Sequence, residues 1–219
     1  MSNHPKKRRG PGRPVDLALI ARRRGGILAA AAKAFARRGF ERTEVDEIAE
    51  ATGVSKGTVY RYFPSKESLF LASVDAGIRA LTERVNAAAA SQADPLERIE
   101  AAIRAYLAFF DAHPEYVELL MIERAVFRDR KKPTYFEHRD ANLGEWSDLI
   151  AELIEAGRVR RVPLERITDG LSQMLYGTIF TNAFAGRTKP LEVQAGDVID
   201  FCWNGILTPP RGGGKRGRA

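Results

Sequence analysis

Residues 45–63 read VDEIAEATGVSKGTVYRYF and hold the pattern that decides the fold. Ala49 and Gly53 stand four residues apart, and Val59 follows six residues later. A helix-turn-helix needs a small residue where its helices cross and a residue that tolerates positive φ in the turn, which Ala49 and Gly53 supply. Val54 and Val59 are the apolar residues expected to hold the second helix down. The stretch therefore predicts two short helices, the second with its outer face free for a DNA major groove.

The residues around this stretch set the limits of the two helices. Thr43 begins an approximate capping box for the first helix, which should end near Thr52. Ser55 is placed to cap the second helix, and Pro64 should stop it after Phe63. The predicted start and stop signals thus fall where a helix-turn-helix requires them.

Helical patterns continue through the rest of the chain, and no segment makes a convincing strand. Glycines, prolines and capping residues separate about nine helices, the first of them ending at Gly39 before the apolar anchor Phe40. The others are predicted at about residues 44–52, 56–63, 65–90, 95–112, 114–128, 133–155, 163–185 and 192–207. The expected fold is therefore all-α.

Charge is distributed unevenly along the chain. Residues 1–66 carry 15 Lys and Arg against 6 Asp and Glu, residues 67–208 carry 16 against 22, and residues 209–219 carry 4 and no acid. A basic part joined to an acidic body favours nucleic acid as the partner of the basic part, although an uneven solvated surface gives the same counts. We expect a disordered basic arm at 1–14, a DNA-binding domain at 15–66, a helical body at 67–208 and a disordered basic tail at 209–219.

Composition excludes several classes of protein. No apolar run approaches the roughly 18 residues of a membrane span, and no apolar stretch follows the basic N-terminus as a secretory signal requires. The single cysteine, Cys202, excludes a disulfide framework, and three histidines in total argue against a metal site. No nucleophile and base stand in a catalytic arrangement. We therefore expect no enzyme activity, no cofactor, no membrane partner and a cytoplasmic location.

The stretch ILAAAAKAFARRGFERTEVDEIAEATGVSKGTVYRYFPSKESLF, residues 27–70, resembles the DNA-binding domain of TetR-family transcriptional regulators. Its segment SKGTVYRYFPSKESLF is the most specific part, and the resemblance covers about a fifth of the chain. One departure is Glu44, where the family usually has a second threonine. The resemblance implies a C-terminal helical bundle that binds a ligand and dimerises through its last two helices.

Several residues are predicted to contact DNA. Lys56 can donate to guanine O6 and N7 or to phosphate, although a solvated lysine is the simpler reading. Gly57 lets the backbone approach DNA, and Tyr60 can bind phosphate through its phenol. Lys66 opposes the helix dipole at the start of a helix unless a phosphate binds there. The full set, which matches the family's contact positions, is Thr43, Ser55, Lys56, Gly57, Thr58, Tyr60, Arg61, Tyr62 and Lys66.

The basic arm contains KKRRGPGRP, whose Gly-Arg-Pro resembles a minor-groove element. It is either a segment that clasps DNA or a solubilising tail, and Arg22, Arg23 and Arg24 add further candidates for phosphate contact.

Two sets of apolar residues in the body are candidates for function, with core packing as the alternative for both. A pocket for a small apolar or aromatic effector is predicted among Tyr106, Phe109, Phe110, Tyr116, Met121, Trp146 and Tyr176. A homodimer interface is predicted among Leu171, Leu175, Ile179, Val198, Phe201 and Trp203, where Gly170 and Gly177 permit close helix approach.

The sequence as a whole predicts a ligand-responsive transcriptional repressor that binds a palindromic double-stranded DNA operator as a homodimer. The alternative is an architectural DNA-binding protein with little sequence preference, which would cover A·T-rich DNA broadly.

Overall fold

The computed structural model describes residues 17–206, and within that range it contains nine α-helices and no strand. They are α1 (Leu17–Arg42), α2 (Val45–Ala51), α3 (Lys56–Tyr62), α4 (Lys66–Ala90), α5 (Pro95–Ala112), α6 (Glu115–Val126), α7 (Thr134–Glu155), α8 (Leu164–Phe184) and α9 (Leu191–Ile206). The predicted all-α class is confirmed, and every helix after α1 lies within two residues of its predicted bounds. The basic arm at 1–14 and the tail at 209–219 lie outside the described residues.

Helix α1 begins at Leu17, ten residues before Ile27, where the apolar side of the helix starts. It runs from Leu17 through Gly25 and Gly26 without interruption, although each glycine costs about 1 kcal/mol relative to alanine. Ile27 is its first buried residue, so the preceding turns extend away from the core. Gly39 adopts a φ of 77° and interrupts the regular helix, as its position predicted.

An aromatic cluster joins the N-terminal helices to the body. Phe70 of α4 lies with its ring centroid 5.1 Å from that of Phe35 and 5.5 Å from that of Phe40, both on α1. Phe127, which follows α6, lies 5.2 Å from Phe40 and 5.3 Å from Phe70. Because α1 also packs along α6, one continuous core extends through both parts of the chain.

Helix α4 connects the helix-turn-helix with the body as one uninterrupted helix of 25 residues. Ser65 and Ser68 form a capping box at its start, in which each hydroxyl oxygen accepts from the other residue's N–H, at 3.0 Å and 3.1 Å. Farther along, α4 packs against α5 and α7. Because α4 also packs on α1, which in turn packs on α2, a displacement of α4 in the body is passed to the helix-turn-helix through α1 and through the short connection from α3 to α4.

Helix α5 forms the centre of the body and packs against α4, α8 and α9. Its buried side, with Ile103, Leu107 and Phe110, supplies much of the apolar core. No helix between residues 17 and 206 has the length and apolar content needed to cross a membrane.

Candidate nucleic-acid interface and internal cavity

The turn between α2 and α3 has the geometry that its sequence predicted. Gly53 has a φ of 65°, in the left-handed region that glycine adopts without strain. The N–H of Val54 donates to the Ala49 carbonyl at 3.0 Å and closes the turn. The hydroxyl oxygen of Ser55 accepts from the Thr58 N–H at 3.2 Å, which confirms Ser55 as the N-cap of α3.

Helix α3 is held by its inner face and open on its outer face. Val59 is completely buried and Phe63, directly after the helix, is nearly so. The exposed members of the predicted contact set are Ser55, Lys56, Gly57, Tyr60 and Arg61, and the half-buried ones are Thr58, Tyr62 and Lys66. The structure thus brings most of the predicted contact residues to one end of the molecule.

Lys56 is already paired in the absence of DNA. Its ammonium donates to the Asp46 carboxylate of α2 at 2.7 Å. That hydrogen bond raises the pKa of Lys56 above its ordinary value, so the side chain stays charged. Because both partners are exposed, the pair holds little free energy and can exchange for a contact with phosphate or base.

The charge of Lys66 has an intramolecular explanation that the sequence did not reveal. Its ammonium donates to the Glu41 carbonyl near the end of α1 at 2.8 Å and lies 5.0 Å from the centre of the Phe40 ring. A helix end that presents carbonyl groups attracts a cation. Lys66 therefore does not need a bound phosphate to offset the dipole of α4, since the end of α1 also attracts its charge. A phosphate contact by Lys66 stays a prediction.

The structure also corrects the role of Thr43. This residue is 0% exposed, and its hydroxyl donates to the Gly39 carbonyl at 2.7 Å. The N-cap position of α2 is Glu44, and no side chain caps the helix there. Thr43 therefore stabilises the chain behind the kink of α1, and its side chain does not reach a surface where phosphate could bind.

Basic residues of α1 extend the candidate surface. The Arg24 guanidinium lies 5.2 Å from the centre of the Phe63 ring, at the end of α3, and that of Arg61 lies 5.7 Å from the centre of the Tyr62 ring. Arg22 and Arg23 are exposed on the same part of α1. The start of α1 thus adds positive charge beside the end of α3.

A cavity of about 160 Å³ lies in the body between α4, α5, α7 and α8. Its wall is mainly apolar, with Ile78 and Leu81 from α4, Ile103 from α5, and Trp146 from α7. A cavity of about 150 Å³ lined by apolar side chains accommodates benzene. In its present shape this cavity therefore suits a molecule with one ring and a short substituent.

Two buried tyrosines supply hydroxyl groups in the cavity wall. Tyr106 of α5 and Tyr135 of α7 are 8% and 7% exposed, and their hydroxyl oxygens lie 3.0 Å apart. Burial raises the pKa of both phenols, that of Tyr106 well above its ordinary value, so both remain protonated at neutral pH.

Only two of the seven predicted pocket residues, Tyr106 and Trp146, line this cavity. The other five, Phe109, Phe110, Tyr116, Met121 and Tyr176, do not line it. Phe109 packs on Phe110 and Tyr116, with ring centroids 5.5 Å and 5.7 Å away, and Met121 and Tyr176 line a separate surface groove. Helical spacing showed which residues face inward, but not which of them border an empty space.

The predicted interface residues of α8 and α9 fall into different environments. Leu171 and Leu175 line the cavity, while Ile179 and Val198 are buried inside the protomer. Trp203 is half-buried, and its indole N–H donates to Glu100 at 2.6 Å. Core packing within one protomer accounts for these five. Phe201, in contrast, is 70% exposed.

Other exposed residues share the surface of these two helices. Phe184 at the end of α8 is 73% exposed, and Val193 on α9 is exposed as well. Gly170 and Gly177 lie on the exposed side of α8 and leave open space above the backbone. Phe184 and Val193 were not predicted, because an apolar stripe in the sequence does not indicate which part of it the rest of the protomer covers.

Glu123 connects the cavity side of the body with the aromatic cluster. The carboxylate is 1% exposed and accepts from the Thr134 N–H at 3.0 Å and from the Thr134 hydroxyl at 2.8 Å. The main-chain carbonyl of Glu123 accepts from the Phe127 N–H at 2.9 Å. Glu123 thus fixes the first turn of α7, beside Tyr135, to the segment that contacts α1 and α4.

A second link joins α4 to α7. The Nε2 atom of His138 lies 2.8 Å from the Asp75 carboxylate, which also pairs with Arg79. Burial by itself raises the pKa of Asp75, but the hydrogen bonds from His138 and Arg79 outweigh it and leave that pKa below its ordinary value. Between residues 17 and 206, no three His, Cys, Asp or Glu side chains are grouped so as to hold a metal ion.

Two family models match this chain. One, described as bacterial regulatory proteins of the tetR family, matches residues 27–73, which contain α2 and α3. The other, described as a tetracyclin repressor-like C-terminal domain, matches residues 92–194 of the body.

Curated relatives and solved structures agree with these matches. The chain is 26% identical over 207 residues to the HTH-type transcriptional activator FasR of Mycolicibacterium smegmatis, covering 93% of this chain and 89% of FasR. It is 30% identical over 139 residues to the HTH-type transcriptional repressor KstR2 of Mycobacterium tuberculosis, covering 63% of this chain and 70% of KstR2. The crystal structure of the transcriptional regulator FadR from Bacillus subtilis in complex with stearoyl-CoA has the same fold, with a TM-score of 0.69, 19% identity, and coverage of 83% and 98%.

Proposed function

The chain belongs to the TetR family and is a DNA-binding transcriptional regulator, and from this premise we propose that it is a homodimeric, ligand-responsive repressor of a palindromic operator. One observation carries the proposal: α3 packs through the buried Val59 and leaves its outer face exposed, and the next helix, α4, extends into a body that contains a cavity. Because an operator is part of the chromosome, we place the protein in the bacterial cytoplasm.

We assign DNA reading to the outer face of α3. Lys56 exchanges Asp46 for guanine or phosphate, Tyr60 donates its phenol to phosphate, and Gly57 allows the backbone close to the DNA. The arginines at the start of α1 add phosphate contacts. These contacts release counterions, so affinity should fall steeply as the salt concentration rises.

We assign dimerisation to the exposed surface of α8 and α9. Phe184 and Phe201 leave large apolar areas in water in a single protomer, and Gly170 and Gly177 allow another helix to approach α8 closely. A second copy that covers this surface would give two α3 helices related by two-fold symmetry. Such a dimer matches a palindrome with half-sites about one helical turn, or a multiple of it, apart.

We assign the response to the cavity, whose wall includes Ile78 and Leu81 of α4, the helix that follows the helix-turn-helix and packs on α1. A ligand changes DNA affinity only by as much as it binds one geometry of α4 more tightly than another. The FadR relative was solved with stearoyl-CoA, which exceeds a space of about 160 Å³. The effector proposed for this chain is accordingly a smaller apolar or aromatic molecule.

The experiment is selection from random double-stranded DNA, followed by binding to the selected sequence. A short palindrome is expected, whereas broad A·T-rich coverage would favour the architectural alternative. A reporter gene downstream of the selected site then distinguishes repression from activation. Activation is a real alternative outcome, because the relative FasR is named a transcriptional activator.

Gly57→Ala provides a sharp test of the α3 assignment. A Cβ atom at Gly57 would meet only the Ser55 hydroxyl, at 3.9 Å, so the free protein has room for it. Stability should rise by up to about 1 kcal/mol, because alanine favours the helix. Affinity for the selected operator should fall, because the methyl group separates the backbone from the DNA.

Gly144→Ala is the matched control, since it lies in α7, is exposed, and also has open space around it. This variant should gain similar stability and keep full operator affinity. Unchanged operator affinity in Gly57→Ala would show that α3 does not approach DNA at this point.

A further inference from the structure

The tyrosine pair in the cavity wall has one hydrogen-bond donor more than it can satisfy. Tyr106 and Tyr135 each carry one hydroxyl proton, and the single hydrogen bond between them uses one of the two. Within residues 17–206, no other hydrogen bond involves either hydroxyl. An unpaired buried donor is costly, which points to an acceptor that the protein does not itself provide.

The other polar groups of the cavity wall are either satisfied or open to water. The hydroxyls of Thr82 and Thr168 donate to carbonyls within their own helices, at 3.0 Å and 3.3 Å, and the Asn142 amide does the same at 2.8 Å. Asn86 and Ser172 are only half-buried. The remaining demand for a partner therefore comes from the tyrosine pair.

The charged groups that reach the cavity already have partners. His138 binds the Asp75 carboxylate, and Arg139 binds Asp140 at 2.8 Å while its guanidinium lies 5.2 Å from the centre of the Phe136 ring. An anionic ligand would have to draw one of these two basic side chains away from its own carboxylate, whereas a neutral ligand leaves both pairs intact. The arrangement therefore favours a neutral ligand.

A carbonyl group fits this demand better than a hydroxyl group. A carbonyl oxygen accepts the free proton and brings no new donor, whereas a hydroxyl group brings another proton that must find an acceptor in a mainly apolar space. The volume of about 160 Å³ limits the remainder of the molecule to about one ring.

We propose that the cavity binds a small neutral ring compound with one carbonyl oxygen, which accepts the unshared hydroxyl proton of the Tyr106–Tyr135 pair. This inference rests on the proposed effector role of the cavity and specifies the ligand's chemical class. Water at the same position would satisfy the donor but leave the apolar volume unused.

The test compares acetophenone with ethylbenzene, which has the same ring and chain but no carbonyl oxygen. Binding is followed by ¹H–¹⁵N NMR of the two tryptophan indole groups, Trp146 in the cavity wall and Trp203 outside it. Both ligands should shift the Trp146 signal and leave Trp203 in place. Trp146→Phe assigns the signals.

The decisive variant is the double substitution Tyr106→Phe with Tyr135→Phe. Replacing both hydrogen-bonded partners by apolar groups of the same shape is nearly neutral for stability, so this variant should fold. The ratio of the ethylbenzene Kd to the acetophenone Kd should fall about five- to tenfold from the wild type to the double variant, the worth of one hydrogen bond. Comparing ratios removes the difference in hydrophobicity between the ligands.

Either single variant should retain much of the preference for acetophenone, because one phenol proton remains free to donate. Equal ratios in the wild type and the double variant would overturn the proposal, as would absence of binding or a shift confined to Trp203. Binding with the expected ratio but no effect on operator affinity would uphold the ligand class and reject the effector role instead.

Discussion

Among the glycines between residues 17 and 206, Gly77 is the one with no room for a side chain, and it yields a stability prediction. A Cβ atom at Gly77 of α4 would lie 2.0 Å from Cε1 and 2.3 Å from Cδ1 of Tyr116 on α6. Ordinary contacts begin near 3.4 Å, so the ring or the helix must retreat by about 1.4 Å. Tyr116 is itself stacked on Phe109, with 5.7 Å between ring centroids, which limits its retreat.

Two opposing contributions set the size of the effect. Overpacking of this kind costs about 1–3 kcal/mol, and replacing a helical glycine by alanine returns about 1 kcal/mol. Gly144→Ala in α7 gains the helical contribution with no contact to disturb. The difference between Gly77→Ala and Gly144→Ala should therefore isolate the overpacking and equal about 1–3 kcal/mol.

Urea unfolding at one fixed protomer concentration measures both variants, since dimerisation would make stability depend on concentration. In a Tyr116→Ala background the contact is absent, and Gly77→Ala should then stabilise the chain as Gly144→Ala does. The reasoning fails if Gly77→Ala is as stabilising as Gly144→Ala when Tyr116 is present.

Two further predictions concern the assembly and its pH dependence. Phe201→Glu should shift the sedimentation of the protein from dimer to monomer, because it places a charge on the proposed interface. Val126→Glu, at an exposed apolar residue of α6, should not, and an undiminished dimer in Phe201→Glu would exclude that surface. Asp75→Asn should lower the free energy of unfolding at pH 7 and should flatten the decline of that free energy in acid. The reason is that folding lowers the pKa of Asp75, so the carboxylate's contribution to stability is present above pH 3.8 and is lost as the pH falls through the folded-state pKa. An unchanged acid limb in urea-unfolding curves taken between pH 3 and pH 7 would contradict this.

The sequence predicted the helices well because local chemistry determines where they begin and end. Ser55 and Asp94 cap α3 and α5 through their own side chains, and Gly39 and Gly53 adopt the positive φ values that their positions suggested. Each of these signals acts within a few residues. A single sequence is therefore enough to place them.

Features that depend on distant segments were not predicted. Lys66 is satisfied by Glu41, which is 25 residues away, and the sequence offered no sign of that contact. Tyr135 and His138 were missed in the cavity wall, because an empty space depends on how four helices fit together. Leu171 and Leu175, which were predicted for the dimer interface, were likewise not recognised as residues that border the cavity.

Neighbouring residues of α4 explain how the cavity could act on DNA binding. Gly77 lies against the Tyr116 ring with no spare room, while Ile78, the next residue, borders about 160 Å³ of empty space. Close-packed interiors resist compression, so α4 has freedom to move toward the cavity and little freedom to move toward α6. A bound ligand occupies the one direction that is open. In the proposed function, the effector therefore acts by restricting α4 and, through it, the position of α3 on DNA.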